Sequence, residues 1–287
     1  MEIRQATQQE YQERVNRVVE YIHNHLDENI DLNKLAELSH FSPWHFHRIM
    51  KAFLREPLGA FIIRMRVETA ARLLRHTDMS ISEIAYRVGY EVPSSLSKTF
   101  RQFYDISPNE YRNNKDYTIM RPLLLNPELK LKEPKIQTIE PKQVIYIRLH
   151  GEYKSLDYCK AWTSLWEYVK KEHLFSAGIE HLCIYYNDPK VTEPDKLQTE
   201  VCLVLPKKAV PKGEIGVKEV AGGKYAVFLY QGSYQNLGTV YDTIYSQWLP
   251  ASSYRLSSQP GFEKYLNHPD RTEPEKLKTE IYIPVED

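Results

Sequence analysis

Leu35-Ala-Glu-Leu-Ser-His-Phe41 and Ile84-Ala-Tyr-Arg-Val-Gly-Tyr90 are two versions of one pattern. Each is a short apolar helix with a small alanine inside, a tight turn at His40 or Gly89, and then an aromatic residue. A second helix follows each, announced by Pro43 or Pro93, because proline is pre-shaped for the first helical position. Beyond the turns, Phe46, Met50 and Phe53 correspond to Leu96, Phe100 and Phe103 once one extra residue is allowed in the second copy. These residues make an inward stripe at helical spacing. Trp44, His47, Arg48 and Lys51 face outward in the first copy, and Ser94, Ser95, Ser97, Lys98 and Arg101 in the second. The pattern predicts two helix-turn-helix units, each offering the polar face of its second helix to base edges in a major groove.

Between the copies, residues 57–77 read as one long helix with Leu58, Phe61, Ile62, Met65, Ala70, Leu73 and Leu74 on its buried side. Such a helix spans ~30 Å, close to the ~34 Å between successive major-groove faces on one side of B-DNA. Its neighbours carry clear start signals. Ser80 and Glu83 make a capping box with Met79 and Ile84 placed as a hydrophobic staple, and Ser107-Pro108 with Glu110 repeats the signal. Upstream, Val15, Val18, Val19, Ile22 and Leu26 line one face of a helix over residues 10–26.

The 287 residues carry a formal net charge of zero, which argues against a uniformly basic nucleic-acid binder. Its distribution argues the other way. Residues 41–104 hold Arg48, Lys51, Arg55, Arg64, Arg66, Arg72, Arg75, Arg87, Lys98 and Arg101 against Glu56, Glu68, Asp78, Glu83 and Glu91, a surplus of roughly +5. No apolar run reaches the ~20 residues that span a bilayer, and the opening is too polar for a signal peptide, so a cytoplasmic location is expected. Cys159, Cys183 and Cys202 have neither disulfide-framework nor zinc-ligand spacing and are expected to be small buried residues. His45 and His47 point to different sides of a helix, so no metal site is expected there, nor any cofactor.

From about residue 135 the texture changes to short β-rich runs alternating with two helical stretches, after a proline-bearing connector containing Pro122, Pro127 and Pro134. Thr192-Glu-Pro-Asp-Lys-Leu-Gln-Thr-Glu-Val201 recurs 80 positions later as Thr272-Glu-Pro-Glu-Lys-Leu-Lys-Thr-Glu-Ile281. His150-Gly-Glu-Tyr153 is likewise answered by Gln231-Gly-Ser-Tyr234. Each repeat reads strand, helix, strand, strand, and two such units side by side would enclose a pseudo-twofold cleft. The first helix is expected to bury Cys159, Trp162, Trp166 and Val169; the second, Leu237, Val240, Tyr241, Ile244 and Trp248. Strand alternation sets Glu200 beside Cys202 and Glu280 beside Tyr282 on one face, where a carboxylate needs a hydrogen bond or a positive charge. The alternative for either glutamate is a solvent-facing position beside Lys196, Lys276 or Lys278.

With these motifs in place, residues 8–113 resemble the AraC/XylS family of bacterial transcription regulators. The resemblance rests on Asp31-Leu-Asn-Lys-Leu-Ala, Phe41-Ser-Pro-Trp-His-Phe-His-Arg, Arg64-Met-Arg-Val-Glu-Thr-Ala-Ala-Arg-Leu-Leu, the Ile84 segment and Phe103-Tyr-Asp-Ile-Ser-Pro-Asn-Glu-Tyr-Arg112. It implies seven helices, two recognition helices in adjacent grooves, DNA bending and recruitment of RNA polymerase. Carried onto this chain, Trp44, His47 and Arg48 contact bases from the first helix, and Pro93, Ser94, Ser95, Ser97 and Lys98 from the second. The serines stand where relatives often have larger amides, which implies looser readout by the second helix. Two DNA-binding units in one chain also remove the usual need for a dimer, which leaves the oligomeric state open, a monomer on DNA included.

Residues 135–285 resemble the GyrI-like, or effector-binding, domain, and its coupling to an AraC-type half resembles Rob-like regulators. That implies a cleft for small, often cationic aromatic molecules, walled by aromatics with an acid at its base. The matching ingredients here are Tyr153, Trp162, Tyr185, Tyr186, Tyr230, Tyr234, Glu200 and Glu280; any one of the aromatics taken alone is more often ordinary core. The expected fold is multidomain: an all-α tandem helix-turn-helix domain over residues 1–115, a linker over 116–134, and an α+β GyrI-like domain over 135–287. Three functions compete: a regulator answering a small molecule, a DNA binder whose second domain docks a protein, and a hydrolase of the kind reported for some GyrI-like domains. No Ser/His/Asp order, phosphate loop or metal signature supports the last.

Overall fold

The computed structural model describes residues 2–114, 129, 131–257 and 259–286, with the side chains of residues 2–9, 43, 44 and 250 outside the description. Pro122 and Pro127 of the expected linker lie outside the described residues. The chain divides into two compact units, helical and β-rich.

The helical unit holds α1 (Glu2–Asn24), α2 (Leu32–Ser39), α3 (Pro43–Leu54), α4 (Leu58–His76), α5 (Ile81–Arg87), α6 (Pro93–Tyr104) and α7 (Pro108–Asn113). The starts follow from capping chemistry. Asp31 accepts from the Asn33 amide at 2.8 Å; Ser80 with Glu83, and Ser107 with Glu110, form reciprocal capping boxes that satisfy amides having no helical partner. The Phe41–Met50 and Leu96–Phe100 stripes pack inward, and α4 serves both halves. Its first turns bury Leu58, Phe61, Ile62 and Met65 against α1 to α3, while Ala70, Leu73 and Leu74 are buried further along.

Two expectations change here. Phe103 is 44% exposed, and Tyr104 takes the inward place, packed on Phe100 and Tyr111. Leu96, Phe100 and Tyr104 follow a four-residue spacing, so the third contact falls one position past the one copied from α3. Several cations of the basic surplus are also spent internally. Arg64 is buried between Glu56 at 2.6 Å and Glu68 at 2.9 Å, and Arg66 and Arg75 donate to backbone carbonyls.

The β-rich unit contains β1 (Lys135–Ile139), β2 (Lys142–His150), α8 (Tyr158–Lys171), β3 (Glu180–Tyr185), β4 (Gln198–Val204), β5 (Gly216–Val220), β6 (Gly223–Gln231), α9 (Leu237–Thr243), β7 (Arg255–Leu256), β8 (Phe262–Tyr265) and β9 (Lys278–Glu286). A π-helical turn, Ile244–Trp248, prolongs α9. The sheet order is β1-β6-β9-β8-β3-β4-β2-β5, with β7 on β9. The repeats therefore meet through β3 and β8, where Cys183 faces Glu263. The leading strand of each repeat is exchanged: β1 pairs with β6 and β5 with β2.

Strand alternation divides the sheet into two faces. One carries Ala226, Phe228, Ile281 and Ile283 against Leu237 and Val240 of α9 and Ile244 of the π-helical turn. The other carries Val144, Tyr146, Leu182, Ile184, Cys202, Tyr225, Phe262 and Tyr282 as a second core. In α8 the buried stripe is Ala161, Leu165, Tyr168 and Val169, one step round from the expected one. Trp162 and Trp166 are consequently half-buried on the flank, and Cys159 is exposed rather than buried. Cys183 and Cys202 are buried, as expected.

Candidate nucleic-acid interface and effector site

The turn before α3 bends through His40 at φ 52°, and the turn before α6 bends through Gly89 at φ 84°. Each turn ends a short helix so that the next starts at a proline. His47, Arg48 and Lys51 are exposed on α3, while Phe46 and Met50 are buried behind them. The Trp44 side chain lies outside the described residues. On α6, Ser94, Ser95, Lys98 and Arg101 are exposed, and Pro93 and Ser97 are half-buried. The Ser97 hydroxyl donates to the Pro93 carbonyl at 3.3 Å, and Thr99 to that of Ser95 at 2.8 Å.

In the β-rich unit the helix-bearing face holds an acid missed at the sequence level. Glu263 is 2% exposed and accepts a hydrogen bond from the Tyr265 hydroxyl at 2.7 Å. Tyr241 of α9 and Tyr185 also hydrogen-bond to it. Tyr185 and Tyr265 hydroxyls are 3.3 Å apart. Around them, Tyr153 stacks edge-on to Tyr185 at 4.9 Å, Tyr234 packs on Tyr265 at 5.2 Å, and Trp162 meets Tyr265 at 6.4 Å. All six aromatics are half-buried, so each keeps a surface open to solvent beside a carboxylate that has almost none.

Burial pushes the Glu263 carboxyl up to about 7, against the pull of its tyrosine hydrogen bonds. The same burial, with the nearby acid, holds Tyr185, Tyr241 and Tyr265 well above the ordinary phenol range, so they remain neutral donors. The Cys183 thiol opposite is also pushed up by burial and stays protonated. Of Glu263, the three tyrosines and Cys183, the Glu263 carboxyl is the one that changes charge near neutrality. A neutral-to-anionic carboxyl among ring faces and fixed hydroxyl donors suits a cation with a flat apolar body.

The glutamates expected at this site lie on the opposite face. Glu200 is fully buried, 2.5 Å from Arg148 and 2.6 Å from Lys218, and accepts from the Tyr186 hydroxyl at 2.7 Å. Burial alone would raise it, but Lys218 and Arg148 hold it below the usual carboxylate range. Its charge is already answered. Glu280 is half-exposed on that face and accepts from Tyr282 at 2.9 Å. Tyr230 is buried in the core under α9, its hydroxyl donating to the Ser233 carbonyl. Of the expected ligand residues, Tyr153, Trp162, Tyr185 and Tyr234 come together around Glu263. Tyr186, Tyr230, Glu200 and Glu280 do not.

Residues 132–286 match the sequence family described as the GyrI-like small molecule binding domain. The chain belongs to that family. Residues 35–114 match a helix-turn-helix domain family. Over 103 residues the chain is 30% identical to the regulatory protein SoxS of Salmonella typhimurium, covering 36% of this chain and 96% of SoxS. Over 98 residues it is 29% identical to the multiple antibiotic resistance protein MarA of Escherichia coli, covering 34% of this chain and 77% of MarA. The crystal structure of the EcmrR C-terminal domain aligns with 55% of this chain and 99% of its own at 19% identity, with a TM-score of 0.46. The chain is a DNA-binding, AraC-type transcription regulator that carries a GyrI-like domain. Among the described residues, no helix is long and apolar enough to cross a membrane.

Within the GyrI-like repeats, one signal could have found the missed acid. Tyr265 is the counterpart of Tyr185 at the repeat offset, and alternation puts Glu263 on the face of Tyr265. The four-residue strand Phe262-Glu-Lys-Tyr265 is too short to stand out by periodicity.

Proposed function

We propose that this protein binds an operator through α3 and α6 together and answers a small cationic aromatic effector held against Glu263. In this reading residues 1–115 form the DNA-binding domain, 116–134 the linker and 135–287 the effector domain. The regulator works in the cytoplasm as a monomer on DNA and recruits RNA polymerase. Two matched units with basic outer faces support the DNA half. The observation that carries the effector half is a buried carboxylate, partnered only by hydroxyl donors among those hydrogen-bonded to it, inside a shell of half-buried rings. A bound cation supplies the counter-charge that Arg148 and Lys218 supply to Glu200. The Glu263–Tyr265 pair would also suit a hydrolase, so recovery of the effector chemically unchanged after incubation separates binding from turnover.

Selection of bound duplex from a random pool, with and without rigid cationic dyes, tests both halves. The expected product is a site with two boxes about one helical turn apart, whose recovery changes with dye. Arg48→Ala should then lose ~1 to 3 kcal/mol of discrimination at one base pair, because a guanidinium fork bridges two acceptors on guanine. Lys98→Ala should lose less, and more evenly across sequences, as a point charge would. Uniform weakening by Arg48→Ala would place that side chain on phosphate.

A further inference from the structure

Arg66 lies on α4 between the two helix-turn-helix units, and both units converge on it. Its Nε donates to the Leu26 carbonyl at 3.1 Å and its Nη2 to the Glu28 carbonyl at 2.6 Å, so one guanidinium holds the chain just past the end of α1. The turn of the second unit presses on the same point. Gly89 has φ +84°, and a Cβ there would stand 2.4 Å from the Leu26 carbonyl oxygen and 2.7 Å from Arg66 Nη2. Tyr90, the next residue, has its ring 5.8 Å below the guanidinium. The end of α1, the middle of α4 and the turn between α5 and α6 therefore form one three-way junction.

We infer that Arg66 is a positioning residue that sets the relative placement of the two recognition helices, and so the spacing between DNA boxes that the protein accepts. The inference rests on the two-box reading above. The first unit is built on α1, and its core ties α3 to that helix through Phe46 and Met50. The second unit packs α5, α6 and α7 against α4, with Ile84, Leu96 and Phe100 buried inside it. The Arg66 fork and the close approach of Gly89 give the second unit a contact to the end of α1 as well as to α4. Two contacts of that kind oppose rotation of α6 about the α4 axis. An arginine suits the place because its planar fork reaches two carbonyls with fixed geometry, whereas a lysine satisfies them as a single point donor.

The test uses the full chain and duplexes carrying one box, two boxes at the selected spacing, or two boxes with one or two base pairs added or removed between them. Wild type should bind the selected spacing best and lose affinity steeply on either side. Arg66→Lys and Arg66→Gln should lose about tenfold on the selected spacing, flatten the spacing profile, and leave single-box affinity within about twofold of wild type. Lysine is the informative variant, since it keeps the charge and most of the bulk while losing the fork; circular dichroism and the melting temperature report that the fold is kept. Equal losses on one-box and two-box DNA would overturn the inference by making Arg66 merely structural or a phosphate contact. An unchanged spacing profile in a folded Arg66→Lys would also overturn it. Wild type that shows no two-box preference would instead remove the two-box reading itself.

Discussion

Glu263→Gln should reduce the affinity for a rigid monocationic dye at pH 8 by about 30- to 4,000-fold, the ~2 to 5 kcal/mol lost when one partner of a desolvated charge pair is removed. The reason is the contrast between the two buried acids. Glu200 has two cations at hydrogen-bonding distance, whereas Glu263 has hydroxyl donors and a carboxyl pushed up to about 7 by burial. A cation pairs with the ionised form, so wild-type affinity should rise with pH through neutrality and level off above it, while Glu263→Gln shows a flat profile. The free protein should show the opposite trend in stability. A carboxyl that holds its proton more tightly folded than unfolded favours the fold fully below the ordinary range near 4.5, and that contribution is lost as pH rises through about 7. Glu263→Gln should therefore match wild type near pH 4 and exceed it by about 2 to 3 kcal/mol at pH 8. Calorimetry and urea melts at pH 5 and pH 8 check the two trends. Undiminished dye binding by the variant, or tighter binding of anionic dyes, removes Glu263 as the counter-charge.

Glu200→Gln should have the largest effect on stability, a loss of about 3 to 5 kcal/mol at neutral pH. It would leave Arg148 and Lys218, 3% and 7% exposed, facing each other in the second core without the anion between them. The depressed Glu200 carboxyl means that its contribution persists at neutral pH and is lost only as pH falls below the ordinary carboxylate range. Glu280→Gln, at the matching position of the other repeat, should cost under about 1 kcal/mol, because that side chain is half-exposed and the Tyr282 hydroxyl can donate to an amide oxygen equally well. Urea unfolding of the two variants side by side gives the comparison. Equal, small losses would mean that the cations at Glu200 rearrange into water at little cost.

Much of this was legible because the informative residues obey local rules. Capping boxes at Ser80 and Ser107, prolines at the starts of α3 and α6, and the spacing of Phe46 with Met50 are decided within a turn or two of helix. The strand-helix-strand-strand part of each repeat was legible from the repeated segments, but the leading strands β1 and β5, which pair across to the other repeat, were not. Alternation paired Glu200 with Cys202 and Glu280 with Tyr282 correctly, yet it says nothing of which face the helices will cover. That choice is made by long-range packing of Val240 and Ile244 on Phe228 and Ile281. It separated the expected acids from Tyr153, Trp162, Tyr185 and Tyr234. Glu263 was hidden for a related reason, since its surroundings come from α9 and from both repeats, and a four-residue strand gives no hint of them.

The exchanged strands have a consequence during synthesis. β1 ends at Ile139 and its partner β6 does not begin until Gly223, so at ribosomal rates of about 5 to 20 residues per second β1 waits on the order of 4 to 17 seconds for its ladder. An unpaired strand is a template for pairing with neighbouring chains over that interval. The nascent segment carries its own protection: Lys135 and Gln137 within the strand, four of its five residues exposed even when folded, and Pro134 and Pro141 closing both sides. Replacing those polar residues or prolines would cost little in the finished protein and a great deal in the yield of protein that finishes.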